Sequence, residues 1–350
     1  MYWCRGFSGK YGSAMDAGLA VAVLLALAFA ATNGLHDASN AVATLVATRG
    51  ATPTQAIALA TVFNLLGPLL LGAAVADTIG GIVTVAPSAA TEVIGVGLAA
   101  AVAWNLLTWA FGLPSSSGHA LIGGLVGAGL VEGGTGAINW GGMDGLRPVG
   151  VFGTLIALAV SPLLGGIAAL IVIRGIRRLA HRATRRWGGP VRGGEWTMSA
   201  ALAFSHGAND AQKSVGVIAA LLLANGHIDS LAAPTWTKLA SAAALTLGTA
   251  LGGWRIIRTV GRRIYRIQAI DGLASQSASA GVIFGASVLG APVSTTQVVA
   301  SSIVGIGAGR KRLHHVNWEV ARAMGFAWLI TIPGTAALAA AGLAIWRLVT

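Results

Sequence analysis

Residues 33–41, which read NGLHDASNA, return in altered form as residues 205–213, which read SHGANDAQK. Each copy holds one aspartate, Asp37 or Asp210, and each lies in otherwise apolar sequence. A chain that repeats an unusual polar segment in apolar surroundings is predicted to contain a duplicated unit. The repeat therefore predicts two related halves.

A second signature follows each copy at nearly the same distance. It reads GLPSSSGH at residues 112–119 and GAPVSTTQ at residues 290–297. From the aspartate to the proline of this signature the spacing is 77 residues in the first half and 82 in the second. Two signatures in the same order and at similar spacing are typical of a membrane protein with two pseudo-symmetric halves.

The composition also indicates a membrane protein. Hydrophobic residues make up 55% of the 350 residues and charged residues only 10%, against about 25% charged in soluble domains. Mean hydropathy is +0.74. The 50 glycines let helices approach closely in lipid. The single cysteine, Cys4, excludes internal disulfides and a cysteine-based metal cage. One polytopic membrane domain is predicted, without room for a separate soluble domain.

The chain contains about ten apolar segments, several of them about 20 residues long and able to cross a bilayer core of about 30 Å. They are residues 17–48, 55–76, 90–111, 113–131, 150–173, 197–223, 236–254, 267–290, 292–308 and 319–347. We predict an all-α polytopic membrane protein with about 10–12 transmembrane segments in two inverted-topology repeats with broken or re-entrant helices.

Basic residues predict which loops are cytoplasmic, because short cytoplasmic loops carry an excess of lysine and arginine. The basic positions are Arg49, Arg174, Arg177, Arg178, Arg182, Arg185, Arg186, Arg192, Arg255, Arg258, Arg262, Arg263, Arg266, Arg310, Lys311 and Arg312. The loops around Asp77, residues 132–144 and Asp229 lack such clusters and are predicted to face outside. No nucleic-acid partner is expected despite the net charge of +12, because the charges lie in short loops between apolar segments.

This charge pattern also predicts that the two halves are inverted. Segment 17–48 runs from outside to inside, whereas segment 197–223 begins after a basic loop and runs from inside to outside. We expect residues 15–173 to form the first inverted repeat, residues 174–196 a basic cytoplasmic linker, and residues 197–348 the second inverted repeat.

The aspartates are the first candidates for a functional site. A carboxylate at bilayer depth costs at least about 2.5–3.5 kcal/mol, so it persists where it pairs, binds a cation or lines a water-filled cavity. The glycine and asparagine residues beside Asp37 and Asp210 predict a broken helix, whose free carbonyls ligate cations and whose amides hold anions. A pair of residues that only joins helices by hydrogen bonds is the alternative.

The second signature supplies hydroxyl groups directly after a proline. A proline in the first helical turn leaves free amides at the helix entry, and hydroxyls with those amides suit a tetrahedral oxyanion. A hairpin whose serines only satisfy its own turn is the alternative.

Histidine spacing predicts no metal site, because His36, His119 and His206 lack the spacing of a zinc site. His36 adjoins Asp37, so a proton relay and a satisfied buried histidine are both open. Lys213 follows Asp210 by one helical turn, which leaves open an ion pair with that aspartate and direct contact with an anion.

At these residues the chain resembles the inorganic phosphate transporter family, which includes low-affinity bacterial phosphate permeases and sodium–phosphate symporters. The family carries a Gly-x-Asn-Asp-like signature in each half. Residues 207–210 match it, whereas His36 stands where the first copy would have asparagine. The family also carries Pro-x-Ser-(Ser/Thr)-(Ser/Thr)-His, which residues 114–119 nearly fit with Gly118 interposed; Gln297 replaces the second histidine. The resemblance spans about residues 17–345.

The resemblance implies inorganic phosphate uptake driven by a cation gradient, with no enzymatic activity and no cofactor besides the transported cation. The proton is favoured over sodium, because bacterial members of the family often use protons. The implied cation-coupling residues are Asp37, Asp210 and Asn33. The implied phosphate-binding residues are Ser116, Ser117, Ser294, Thr295, Thr296, Asn40 and Asn209.

The expected location is the bacterial inner membrane, as a multi-pass protein surrounded by lipid. Free phosphate and a neutral metal–phosphate complex are both open as the transported species, and so is a homo-oligomer. A sulfate permease of the same family and a passive anion channel are the rival functions. An intramembrane hydrolase using Ser117 and His119 is disfavoured, because no Gly-x-Ser-x-Gly elbow is present. Direct ATP drive is disfavoured by the lack of a phosphate-binding loop motif.

Overall fold

The computed structural model describes residues 12–179, 187–251, 264, 267–310 and 313–349. Many of the basic residues used to predict the topology lie outside these described residues. They are Arg182, Arg185, Arg186, Arg255, Arg258, Arg262, Arg263, Arg266, Lys311 and Arg312.

The first half consists of six helices and one small β-hairpin. They are α1 (Gly12–Ala47), α2 (Pro53–Leu70), α3 (Ala74–Gly80), α4 (Pro87–Ala110), α5 (Ser117–Gly133), β1 (Gly142–Asp144), β2 (Arg147–Val149) and α6 (Gly150–Leu179). A short 3-10 helix, Gly134–Ala137, follows α5. The strands pair antiparallel, with Met143 opposite Pro148.

The described part of the second half contains five long helices. They are α7 (Gly188–Ala224), α8 (Thr235–Leu251), α9 (Ala269–Val288), α10 (Thr295–Gly309) and α11 (Trp318–Val349). A 3-10 turn, Leu313–His315, precedes α11. Each of the ten predicted apolar segments corresponds to one long helix. The predicted linker interval contains the end of α6 and the start of α7, separated by residues outside the description.

Helix packing follows a pseudo-twofold pattern. The second helix of each half packs on the first helix of the other, α2 on α7 and α8 on α1. The last helix of each half packs on a hairpin helix of the other, α6 on α10 and α11 on α5. Within each half, α4 pairs with α5 and lies on α1, as α9 pairs with α10 and lies on α7. This reciprocal pairing confirms the predicted repeat.

The prediction that the helices break beside the aspartates is wrong, because α1 and α7 run without interruption through both signatures. The glycines of the two signatures instead allow a second helix to cross at close distance. A Cβ at Gly34 would lie 2.0 Å from the carbonyl oxygen of Leu245 in α8, and one at Gly207 would lie 2.3 Å from that of Asn64 in α2. Only glycine permits so close an approach, and the two crossings correspond in the two halves.

The interruptions fall at the hairpin tips, residues 111–116 between α4 and α5 and residues 289–294 between α9 and α10. Both hairpins reach the aspartates directly after the tip, since Ser117 contacts Asp37 and Thr295 contacts Asp210. Asp37 and Asp210 lie well inside their long helices, so each hairpin enters the bundle and turns back within it. These are the predicted re-entrant elements.

The outer surface is apolar, as lipid contact requires. On α6, Leu163, Ile167 and Ile171 are more than half exposed, and so are Phe326 and Leu329 on α11. Six helices of the described residues are long and apolar enough to cross a membrane: α1, α2, α4, α5, α6 and α11. Two large apolar cores fill the interior, one around α5 and one around α10.

Candidate functional site

Two re-entrant hairpins carry hydroxyl groups to the centre of the bundle, and local capping explains how. The Ser116 hydroxyl accepts a hydrogen bond from the His119 amide at 3.4 Å, and the Ser294 hydroxyl accepts one from the Gln297 amide at 3.4 Å. Each serine caps a helix whose first residues face the aspartates. The positive ends of α5 and α10 therefore point at the same buried region.

Asp37 is bound by hydroxyls from both hairpins. The Thr296 hydroxyl donates to its Oδ1 at 2.6 Å, and the Ser117 hydroxyl lies 3.2 Å from its Oδ2. Ser117 is also 2.8 Å from the Oδ1 of Asn33, one turn earlier on α1. The Asn40 amide donates to the Thr296 hydroxyl at 3.0 Å. This aspartate of the first half is therefore joined to the hairpin of the second half.

Asp210 has a different set of partners, which includes the positively charged side chain of Lys213. Its Oδ1 forms an ion pair with the ammonium group of Lys213. Its Oδ2 accepts a hydrogen bond from the Thr295 hydroxyl at 3.0 Å and lies 2.9 Å from Nε2 of His206. Lys213 also donates to the Val293 carbonyl in the hairpin tip at 3.1 Å. The ion pair that the sequence left open is therefore present.

The carboxylates of Asp37 and Asp210, one from each half, lie close to each other. One ligand atom each from Asp37, His206 and Asp210 lies within 4.8 Å of the other two, and all three residues are buried. Two carboxylate oxygens and an imidazole nitrogen suit a cation. The sequence predicted no metal site, but that prediction considered only the spacing of histidines along the chain. The members of this cluster come from two helices, one in each half, and such spacing does not report on them.

Asn209 anchors the second hairpin. Its side-chain amide donates to the Ser287 hydroxyl and to the Ala291 carbonyl, each at 3.1 Å. Ser116 and Ser294 contribute through helix capping. Of the sequence-predicted site residues, Asp37, Asp210, Asn33, Asn40, Ser117, Thr295 and Thr296 meet in one hydrogen-bonded group, while Asn209, Ser116 and Ser294 hold the hairpins beside it.

Several buried polar atoms of the site have no hydrogen-bond partner within the described ranges. They are Nδ2 of Asn33, Oδ1 of Asn40, Oδ1 of Asn209 and Oε1 of Gln297. A buried polar atom without a partner costs about 1–3 kcal/mol. These four atoms are available for hydrogen bonds with a further polar group.

His36 connects Asp37 to the first hairpin. Its Nδ1 lies 3.4 Å from Oδ1 of Asp37, and its Nε2 lies 3.3 Å from the hydroxyls of both Thr108 and Ser115. All of these side chains are buried. The contacts form a continuous row of proton-carrying groups from the hairpin tip to the carboxylate.

Sequence reasoning missed Asn64. This buried residue of α2 contacts Nδ1 of His206 through its Oδ1 at 3.0 Å and donates from Nδ2 to the Thr249 hydroxyl at 3.1 Å. It thereby orients the histidine that contacts Asp210. An asparagine inside an apolar helix is the signal that could have identified it.

Comparison with known proteins identifies the family. The sequence profile described as "Phosphate transporter family" matches residues 33–191 and again residues 184–339. A "Probable low-affinity inorganic phosphate transporter" of Rhizobium meliloti (strain 1021) is 40% identical over 335 residues, with 93% of this chain and 97% of that protein covered. A protein of the same description from Bacillus subtilis (strain 168) is 39% identical over 320 residues, covering 91% and 94%.

A solved structure, "The sodium-dependent phosphate transporter", superimposes with a TM-score of 0.82 at 25% identity, covering 95% of this chain and all of that one. These relatives are described as transporters, which confirms the prediction that the chain is not an enzyme. The double match of the profile agrees with the repeat in sequence and packing. The chain therefore belongs to the phosphate transporter family.

Proposed function

We propose that this protein imports inorganic phosphate across the bacterial inner membrane as a secondary transporter coupled to a cation gradient, with the proton as the coupling ion. The observation that carries the proposal is that the second hairpin joins the two buried aspartates, one from each half. Thr296 binds Asp37 and Thr295 binds Asp210, so adjacent residues of one hairpin contact both halves.

Phosphate binds among the hydroxyl groups and the helix entries. Ser117, Thr295 and Thr296 supply hydroxyl donors, and the first turns of α5 and α10 supply amides and a positive electrostatic potential. The side chains of Asn40 and Asn209 line the same region. Such a site holds a tetrahedral oxyanion without a fully desolvated arginine. Because Ser117 and Thr296 contact Asp37 in this structure, their hydroxyls become available to phosphate when a cation neutralises that carboxylate.

Cation coupling runs through the buried carboxylates. Asp37 faces hydroxyls and His36, so protonation of Asp37 removes its charge and releases Ser117 and Thr296 for the substrate. The row of Ser115, Thr108 and His36 supports a proton as the coupling ion. Sodium is the alternative, which the description of the similar solved structure favours.

Transport exchanges the site between the two faces of the membrane. The reciprocal packing of the halves suits a rocking motion of the hairpins and their partner helices around a fixed central site. The site residues are almost entirely buried here, as in an occluded state between the outward-open and inward-open states.

The test is uptake of labelled phosphate by the purified protein in proteoliposomes, with proton and sodium gradients imposed separately. We expect accumulation with an inward proton gradient and none with a sodium gradient at equal pH. Accumulation driven only by a sodium gradient would show that sodium, and not the proton, is the coupling ion. Uptake that ignores both gradients would indicate a passive channel and contradict coupling.

Substrate identity is tested in the same vesicles. Excess unlabelled phosphate should abolish uptake of the label, whereas sulfate should compete weakly. Strong competition by sulfate would favour the sulfate permease. Omitting Mg²⁺ distinguishes the transported species, because a metal–phosphate complex requires the divalent ion and free phosphate does not.

A further inference from the structure

The two copies of each signature align residue by residue when Asp37 is matched to Asp210 and Pro114 to Pro292. The structure supports this alignment, because equivalent residues make equivalent contacts. Ser117 and Thr295 correspond, and each contacts Oδ2 of the aspartate of its own half. Ser116 and Ser294 also correspond, and each caps its helix. Departures from this symmetry are therefore informative.

Two departures coincide in space. Asn40 corresponds to Lys213, and Gly118 corresponds to Thr296. In the first half, Asn40 donates to Thr296, and Thr296 donates to Oδ1 of Asp37. In the second half, Gly118 offers no hydroxyl, and Oδ1 of its aspartate is bound directly by Lys213.

The missing side chain at Gly118 makes room for the ammonium group. A Cβ at Gly118 would lie 3.5 Å from Nζ of Lys213 and 3.8 Å from its Cε. A threonine hydroxyl there would extend into the space that Nζ occupies. Glycine at 118 therefore makes room for lysine at 213. The ammonium group of Lys213 binds Asp210 directly, in the place of the amide and the hydroxyl that Asn40 and Thr296 supply beside Asp37.

The replacement changes the charge of the site. Asp210 is neutralised by a cationic side chain that is only 1% exposed, whereas Asp37 is bound by neutral hydroxyls and approached by His36. With Lys213 the three groups Asp37, Asp210 and Lys213 carry one net negative charge, and with asparagine at 213 they would carry two. A second buried carboxylate without a cation is costly.

We propose that Lys213 is an internal counter-cation that takes the place of one transported cation at Asp210. The proposal rests on the proposed function and deepens it, because it assigns cation coupling to Asp37 alone. A chain with the symmetric residues, asparagine at 213 and threonine at 118, would need one more cation for each phosphate. Lys213 thus determines the coupling stoichiometry.

The test measures charge moved per phosphate in proteoliposomes, from the membrane potential at which labelled phosphate flux stops. We compare the wild type, Lys213→Asn, the symmetric double variant Gly118→Thr/Lys213→Asn, and the charge-preserving control Lys213→Arg. The two asparagine variants should move one more positive charge per phosphate than the wild type, and Lys213→Arg should keep the wild-type ratio. An unchanged ratio in the asparagine variants overturns the proposal, as does an equal increase with arginine.

A binding measurement covers variants that fold but do not transport. The thermal unfolding temperature of purified protein is followed against sodium concentration and against pH. Lys213→Asn should gain a stabilisation by sodium or by protons that Lys213→Arg lacks. Equal responses of the two variants would refute the counter-cation. Absence of phosphate uptake by the wild type would instead refute the proposed function, so the two failures are distinguishable.

Discussion

Ser117 of one hairpin and Thr295 of the other hold equivalent places in the inverted halves. Each is the first residue of its helix, and each contacts the aspartate of its own half, at 3.2 Å for Ser117 and Asp37 and at 3.0 Å for Thr295 and Asp210. The same contact thus occurs once in each half. Thr296 of the second hairpin also donates to Asp37 of the first half, so the centre of the bundle is one site made by both halves.

Removing either hydroxyl should weaken phosphate binding. A hydrogen bond to a charged group contributes about 1.5–3 kcal/mol, so Ser117→Ala and Thr295→Ala should each raise the KM for phosphate about tenfold or more. Labelled uptake at varied phosphate measures this. Ser277→Ala is the matched control, because among the described residues that hydroxyl bonds the Leu273 carbonyl of its own helix and no site residue. An unchanged KM would remove the altered residue from substrate contact.

The aspartates should differ in how their loss affects folding. Asp37→Asn and Asp210→Asn should both abolish coupled uptake. Asp210→Asn should also lower stability, by about 3–5 kcal/mol, because it leaves the Lys213 ammonium buried without its partner. Uptake and thermal unfolding are measured together, with the exposed Asp144→Asn as control. Normal coupled uptake in either variant would exclude that aspartate from the mechanism.

The signature glycines should tolerate no side chain. Alanine at Gly34 or Gly207 would bring Cβ against a backbone carbonyl of the crossing helix. Overpacking costs about 1–3 kcal/mol, and backbone on both sides cannot easily yield, so the upper end is expected. Gly281→Ala in α9 is the control, since no atom of the described residues beyond its own stretch of helix lies within 4 Å of an added Cβ. Equal unfolding temperatures for Gly34→Ala and the control would argue against the close crossing.

Asn64 should be required for stability although it lies outside the repeated signatures. Asn64→Leu removes partners from His206 and Thr249, both buried, at a cost of about 1–3 kcal/mol. Thermal unfolding of purified protein measures it against Leu66→Ala, a change at an outward-facing position of the same helix. A variant as stable as the wild type would show that His206 finds another partner.

Sequence predicted the helices well because hydropathy reports burial in lipid directly. It missed α3 and the β-hairpin, which are too short to leave a periodic signal. It also predicted helix breaks at the glycines beside Asp37 and Asp210. These glycines are required by tertiary packing, because α1 crosses α8 and α7 crosses α2 at close distance. A local sequence pattern does not reveal such a crossing.

The site was predictable as a set of residues but not as a set of pairs. The signatures identified Asp37 and Thr296, which lie 259 positions apart, yet only the fold places them 2.6 Å apart. The departure at Gly118 was visible in the sequence, but its meaning required the position of Lys213. Asn64 escaped because a single polar residue in an apolar helix has many possible roles.

The inverted arrangement is tested most directly by labelling from each face of the membrane. Single cysteines at Arg49, between α1 and α2, and at Asp229, between α7 and α8, are introduced after replacing Cys4 by serine. A membrane-impermeant maleimide is applied to right-side-out and inside-out vesicles. Arg49→Cys should react only in inside-out vesicles and Asp229→Cys only in right-side-out vesicles. Reaction of both from the same face would contradict two antiparallel halves around a shared site.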